Sequence, residues 1–221
     1  MKSSVDWEAD VYGKARQLNR WPFDGVVSSV IRASAGRPRA EIDVLEIGCG
    51  AGNNIWFLAV EGFRAHGLDI SSSAINYAKQ RMKALGLEAD LAVGSIADSP
   101  WGADVFDMVI DRGALTQNTH QDVAIAIGEA RRVLKVGGVM MSFTLFGMHH
   151  PERLFGTEVA FHTFDHFTEG YFRSVGLTSF FTKDDLTGLF GQFTEARIER
   201  TTVHDCADRI VSEEFTVFAV K

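Results

Sequence analysis

Three glycines at alternate positions, Gly48, Gly50 and Gly52, follow the apolar run 44–47 and precede a stretch, 53–60, that is apolar on most sides. Between a strand and a helix, such glycines let the backbone turn sharply and approach a ligand with no Cβ in the way. One strand later the chain reads Gly67-Leu68-Asp69-Ile70-Ser71. This brings the Asp69 carboxylate to the same sheet edge, where it can accept both hydroxyls of a ribose. A glycine turn alone often serves packing; followed by an acid at the next strand end, it points to a nucleoside. The dinucleotide pattern G-x-G-x-x-G requires glycine at position 53, and this chain has Asn53. Its spacing, G-x-G-x-G, favours a nucleoside with no pyrophosphate to seat on the helix N-terminus.

Two further groups stand where acid–base chemistry is possible. Asp111-Arg112-Gly113-Ala114-Leu115 leaves the apolar run 105–111 at that same carboxyl edge, either to flank a ligand or as a loop with a solvated Arg112. His149-His150-Pro151-Glu152 leaves the following strand at that edge, and neutral imidazole is the usual proton acceptor near pH 7. His149 and His150 are therefore candidate general bases; the plainer alternative is a pair of surface histidines. His162 and His166, four apart among Phe161, Phe164 and Phe167, read as aromatic packing rather than metal ligands, since no third ligand accompanies them. Cys49 and Cys206 lack metal spacing and are too few for a disulfide framework. No metal site is expected.

Holding these residues at one edge requires a regular scaffold. Short apolar runs at 44–47, 65–70, 88–93, 105–111 and 139–146 alternate with amphipathic stretches at 53–60, 72–85 and 119–134, the last closed by Gly137-Gly138. Such alternation predicts a parallel sheet with helices on both faces. Beyond it, the loop-rich, aromatic stretch 147–180 reads as a cap-like insertion, either a lid on the active edge or core under a long loop. A capped helix at 182–190 follows. Strands at 196–204 and 214–220 are close enough to pair antiparallel. The fold class is thus α/β: a Rossmann-like, seven-stranded, mostly parallel sheet with a C-terminal antiparallel hairpin. Residues 1–39 form an N-terminal helical segment, in which Pro22 suits the first position of a helix burying Phe23, Val26, Val27, Val30 and Ile31. Residues 40–221 form the domain itself.

At 221 residues, 46% of them hydrophobic and 23% charged, the chain suits one elaborated globular domain. The formal charge of −7, from 22 basic and 29 acidic residues, repels polyanions, so neither nucleic acid nor an anionic membrane is an expected partner. No apolar run approaches the ~20 residues that span a bilayer, and the N-terminus has no apolar signal core. A cytoplasmic location is expected.

Taken in order, residues 43–146 resemble class I S-adenosylmethionine-dependent methyltransferases. Glu46-Ile47-Gly48-Cys49-Gly50-Ala51-Gly52 is similar to their first motif, and Leu68-Asp69-Ile70-Ser71 to the acidic segment after it. Gly94-Ser95-Ile96-Ala97-Asp98-Ser99-Pro100-Trp101 resembles the adenine-side loop. Phe106-Asp107-Met108-Val109-Ile110-Asp111 resembles the fourth strand, and Leu134-Lys135-Val136-Gly137-Gly138 the turn before the fifth.

The resemblance implies S-adenosylmethionine as cofactor, with Gly48 and Gly50 passing under its methionine part in a binding loop that includes Glu46, Cys49 and Asn53. Asp69 would hold the ribose, Ile70 would line the adenine, and the Ser95–Ile96 backbone would edge the ring. Many members carry an acid where Ser95 stands; here Ser95, Asp98 or a backbone carbonyl takes that role. Tyr12 and Arg20 become candidates for the methionine carboxylate or the acceptor, because the N-terminal segment of this family often covers the cofactor. Asp111 and Arg112 would flank the methyl group.

The reaction implied is an in-line displacement in which alignment, and for some acceptors proton removal, is the protein's contribution. No Asn/Asp-Pro-Pro-Tyr tetrapeptide or Pro-Cys pair points to a nucleic-acid base. The expected acceptor is an oxygen, nitrogen or sulfur of a small metabolite. A non-catalytic nucleoside or cofactor sensor is the alternative from another class. A nicotinamide-dependent oxidoreductase is the third, and Asn53 argues against it.

Overall fold

The computed structural model describes residues 3–221. A π-helical turn (Trp7–Val11) and a 3-10 turn (Tyr12–Lys14) lead to α1 (Asp24–Ala33). Pro22 does not open that helix, a correction to the sequence reading. Phe23 is instead an extended N-cap whose amide donates to Asn54 Oδ1 at 3.0 Å, while Asn53 Nδ2 donates to the Trp21 carbonyl at 2.9 Å.

There follow β1 (Asp43–Ile47), α2 (Asn53–Val60), β2 (Arg64–Asp69), α3 (Ser72–Ala84), β3 (Asp90–Val93), β4 (Phe106–Arg112), α4 (His120–Val133) and β5 (Leu134–Phe146). The Ser71 hydroxyl caps α3 by accepting from the Ala74 amide, and Arg81 and Lys83 sit at its negative end. Gly137-Gly138 does not separate helix from strand as expected. β5 starts at Leu134, opposite Phe106, and bulges before Val139 pairs with Met108. The protruding turn is held by Lys135, whose ammonium reaches Asp107 at 2.8 Å.

The stretch after β5 is more regular than its sequence indicates. β6 (Thr157–Ala160), β7 (Thr163–Asp165) and β8 (Thr178–Ser179) form a small antiparallel sheet. Strands of two to four residues are too short for alternation to reveal. Phe146, Phe164, Phe167, Phe172 and Phe180 make a separate aromatic core beside it. The chain closes with α5 (Lys183–Leu189), opened by a Thr182–Asp185 capping box, then β9 (Glu195–His204) and β10 (Ile210–Val220).

The main sheet has seven strands in the order β3-β2-β1-β4-β5-β10-β9. Strands β1 to β5 pair parallel, and β10 runs antiparallel to both β5 and β9. Val44, Met108, Ile110 and Met141 face α1, α2 and α3, while Leu45, Ile47, Val109 and Met140 face α4 and α5. Burial on both faces explains why the parallel strands read as continuous apolar runs. Strand order reverses at β1, which lies between β2 and β4, and this opens a crevice at their carboxyl ends.

Candidate active site

The loop from β1 into α2 lines that crevice. Gly48 (φ 66°) and Gly50 (φ 51°) both occupy the left-handed region. A Cβ on Gly48 would collide with the Ala114 side chain, and one on Gly50 with the Tyr12 hydroxyl. The loop is thus a cradle whose conformation and clearance both call for glycine. The Gly50 amide donates to Asp69 Oδ2 at 2.8 Å, and the Ser71 amide to Asp69 Oδ1 at 2.8 Å. Each carboxylate oxygen therefore keeps acceptor capacity for a ligand. Burial pushes the Asp69 carboxyl above its usual range, and those two amides oppose the shift.

Glu46 lies behind the loop at 2% exposure. Asn54 Nδ2 donates to its Oε1 at 2.6 Å, but Oε2 is buried with no partner. Burial, reinforced by Asp111 and Asp69, raises the Glu46 pKa to about 8. An orphaned carboxyl oxygen is costly unless a ligand satisfies it. Arg112, at the end of β4, has its guanidinium 3.9 Å from the centroid of the Phe23 ring and makes no ion pair among the described residues. It lies on the cavity wall close enough to the Glu46 and Asp111 carboxyls to feel their charge, but bonded to neither.

Asp111 does not reach the cavity. It is fully buried; Oδ1 accepts from the amides of Ala114 (2.9 Å) and Leu115 (3.1 Å), and Oδ2 accepts from Ser142 Oγ at 2.5 Å. Burial raises its pKa to about 6. Its visible work is to fold the turn that presents Arg112 and Gly113.

The cavity has two halves. Trp7, Tyr12, Gly48, Arg112, Gly113 and Gln117 line both. The larger, of about 460 Å³, is completed by Asp69, Ile70, Ser95 and Ile96 among others. Ser95 Oγ accepts from the Ala97 amide at 3.1 Å. The smaller, of about 130 Å³, runs from Glu46, Cys49 and Asn53 to a wall of Phe23, Thr144, Phe146, Tyr171 and Val175. Burial raises the Tyr12 pKa, so this phenol stays neutral beside the loop.

Residues 3–12 lie across this crevice and are fastened on both sides. Glu8 Oε2 accepts from the Ser71 hydroxyl at 2.5 Å and the Ser73 amide at 3.1 Å, at the positive end of α3. Those hydrogen bonds hold the Glu8 pKa down at about 2. On the other side the Ser4 amide donates to Asp165 Oδ2 at 2.8 Å, and the Leu177 amide donates to Ser3 Oγ at 2.9 Å. With its amide oriented to satisfy both ends, Gln117 donates to the carbonyls of Val175 (3.2 Å) and Leu177 (3.0 Å).

Several expected residues lie elsewhere. Arg20 is exposed, 5.0 Å from the Trp21 ring centroid and outside both halves of the cavity. His149 and His150 also miss the cavity, because the chain after β5 is drawn to β10: the Gly147 amide bonds the Glu213 carbonyl at 2.8 Å. The His149 side chain is 70% exposed, with Nδ1 3.1 Å from Glu213 Oε2. His150 is buried against Phe146 and Phe172, its Nδ1 unpartnered, and burial lowers its pKa.

His162 lies near His120 and Asp185 rather than His166, with one nitrogen or oxygen from each of the three within 4.8 Å of the others. Its Nδ1 is 3.0 Å from Asp185 Oδ2, and His120 Nε2 is 2.9 Å from the Phe180 carbonyl. His162 thus bonds the cap to α5 through Asp185, and His120 separately bonds α4 to the Phe180 backbone.

Thr116, Gln117 and Thr144 also line the smaller half, three polar residues of types that carry no signature in a sequence. Thr144 is unusual in three dimensions. It has φ 58° inside β5, where the pairing with β10 shifts register between Val217 and Phe215. A left-handed conformation costs an L-residue about 1–2 kcal/mol, and a β-branched one is a genuine outlier there.

Comparison with known proteins agrees with this geometry. A family model described as a methyltransferase domain matches residues 38–155. An uncharacterized methyltransferase of Synechocystis is 34% identical over 108 residues, 49% of this chain and 48% of that protein. A fatty-acid O-methyltransferase of Mycolicibacterium smegmatis is 30% identical over 128 residues, 57% of this chain and 43% of that protein. The chain thus spans about half the length of these curated relatives or less. Among solved structures, an S-adenosylmethionine-dependent methyltransferase from Methanosarcina mazei superposes with a TM-score of 0.68 at 19% identity, covering 91% of this chain and 98% of that one. That likeness is one of fold.

Proposed function

The chain belongs to the methyltransferase-domain family, and from that premise we propose that it transfers a methyl group from S-adenosylmethionine to an oxygen, nitrogen or sulfur of a small metabolite. The observation that carries the proposal is the pair of acids on either side of the glycine cradle. Asp69 keeps acceptor capacity on both oxygens, and Glu46 keeps a buried oxygen without any partner. A ribose and an ammonium group are the chemistry those two acids ask for.

In this reading Asp69 takes the ribose hydroxyls, and Ile70 and Ile96 flank the adenine with Ser95 at its edge. Glu46 Oε2 takes the ammonium of the methionine part, and the unpaired Arg112 its carboxylate. When bound, the cofactor supplies a methyl carbon already activated by a sulfonium. The protein's residues then align an acceptor in the smaller half of the cavity, against Phe23, Phe146, Tyr171 and Val175, and exclude water from it. Those walls suit an acceptor with an apolar body, in keeping with the fatty-acid substrate named for one relative. The net charge of −7 disfavours a polynucleotide acceptor.

Titration calorimetry with S-adenosylmethionine, its demethylated product and a nicotinamide dinucleotide tests the cofactor. Binding of the first two is expected. Preference for the dinucleotide would overturn the proposal.

A further inference from the structure

We propose that Thr144 contacts the methyl acceptor, hydrogen-bonding its polar group while the aromatic wall holds its apolar body; this rests on the methyl-transfer reading above. Phe143 and Thr144 together face the single residue Thr216 of β10, since Ser142 pairs with Val217 and Leu145 with Phe215. That is a β-bulge, and bulges recur beside active sites, where they redirect a side chain. Here the bulge lies at the carboxyl end of the sheet, next to the end of β4, where Arg112 pairs with Phe143.

Thr144 is the bulged residue, and it lines the smaller half of the cavity together with Phe146 and Tyr171. The half-buried Thr144 hydroxyl makes no hydrogen bond with any described residue. Glycine or asparagine is the ordinary choice at a left-handed position. A threonine there, strained, on a cavity wall and with its hydroxyl unbonded among the described residues, is the pattern of conformational strain retained for a ligand. It also supplies a polar contact on the acceptor side, where His149 and His150 are absent.

The test uses the full chain and three variants. Thr144→Val keeps the branched shape and removes the hydroxyl; Thr144→Ser keeps the hydroxyl; Thr144→Gly removes the side chain and relieves the backbone. Affinity for S-adenosylmethionine is read by calorimetry and melting by scanning calorimetry. Transfer of labelled methyl is read with octanoate, catechol, thiophenol, phenethylamine and a deproteinised bacterial metabolite extract as acceptors. All variants should bind S-adenosylmethionine within threefold of the wild type. Thr144→Val should lose at least tenfold in kcat/KM, mostly through KM, and Thr144→Ser should stay within threefold. Thr144→Gly should lose as much as the valine variant yet melt no lower than the wild type.

Full kcat/KM in Thr144→Val would overturn the proposal. So would a tenfold loss of cofactor affinity, which would assign the hydroxyl to the cofactor, or a lower melting temperature in Thr144→Gly. A wild type that binds S-adenosylmethionine but labels none of these acceptors would refute the small-metabolite reading, and this proposal with it. Failure to bind S-adenosylmethionine would refute the methyl-transfer reading itself.

Discussion

Replacing Asp69 by alanine should have two separable effects. In the proposed complex each carboxylate oxygen accepts one ribose hydroxyl in addition to its backbone amide. A hydrogen bond to a charged acceptor contributes about 1.5–3 kcal/mol. The low end for two such bonds is about 3 kcal/mol, more than hundredfold in dissociation constant at about 1.4 kcal/mol per tenfold. The free protein should suffer as well, because Asp69→Ala strips the Gly50 and Ser71 amides of their acceptor. At about 1–3 kcal/mol per unsatisfied donor and 2–4 °C per kcal/mol for a chain of this size, melting should fall by about 4 °C or more. Asp69→Asn retains one acceptor oxygen and should show a smaller loss in melting. Calorimetric titration of both variants with S-adenosylmethionine is the assay. A dissociation constant within threefold of the wild type in Asp69→Ala would refute the assigned role, whatever the melting temperature does.

Gly50→Ala should abolish measurable cofactor binding and lower melting, since the new Cβ meets the Tyr12 hydroxyl at a backbone angle of φ 51°; a binding isotherm like the wild type's would contradict this. The Glu46 pKa of about 8 lies above its ordinary value of 4.5, so its protonation favours the folded free protein below pH 4.5, and that benefit is lost as pH rises to about 8. Glu46→Gln should therefore melt above the wild type at pH 9, as scanning calorimetry would show. An ammonium seated on Oε2 ionises Glu46, so cofactor binding at pH 7 should release a proton. Titrations in buffers of differing ionisation enthalpy would detect it, and Glu46→Gln should abolish it. A sulfonium leaving group needs no Lewis acid, so methyl transfer should survive dialysis against a chelator; recovery only on adding a divalent ion would contradict that.

Much of the glycine loop and of the larger half of the cavity was legible in the residue order. Glycine spacing, an acid one strand later and strand–helix alternation are local patterns, and Gly48, Gly50, Asp69 and Ile70 fall where those patterns put them. The rest of the cavity wall was not. His149 and His150 leave the right strand, but a long-range pairing of Gly147 with Glu213 pulls them off the edge, and separation of this kind leaves no local trace. Asp111 was found as a polar residue at the right strand end, yet its side chain turns inward to amides three and four positions on. Thr144 is ordinary in type, and only the register of β10 against β5 makes it exceptional.

The double fastening of residues 3–12 joins two parts of the chain that are far apart in sequence. Ser4 grips the cap through Asp165, and Glu8, four positions on, grips the start of α3. Between and beside those grips, Ser3, Val5, Asp6, Trp7 and Glu8 line the larger half of the cavity. The wall of that half is therefore shared by the cap and the start of α3 through one short segment, and a substitution at Ser4 or Glu8 would loosen it from one side only.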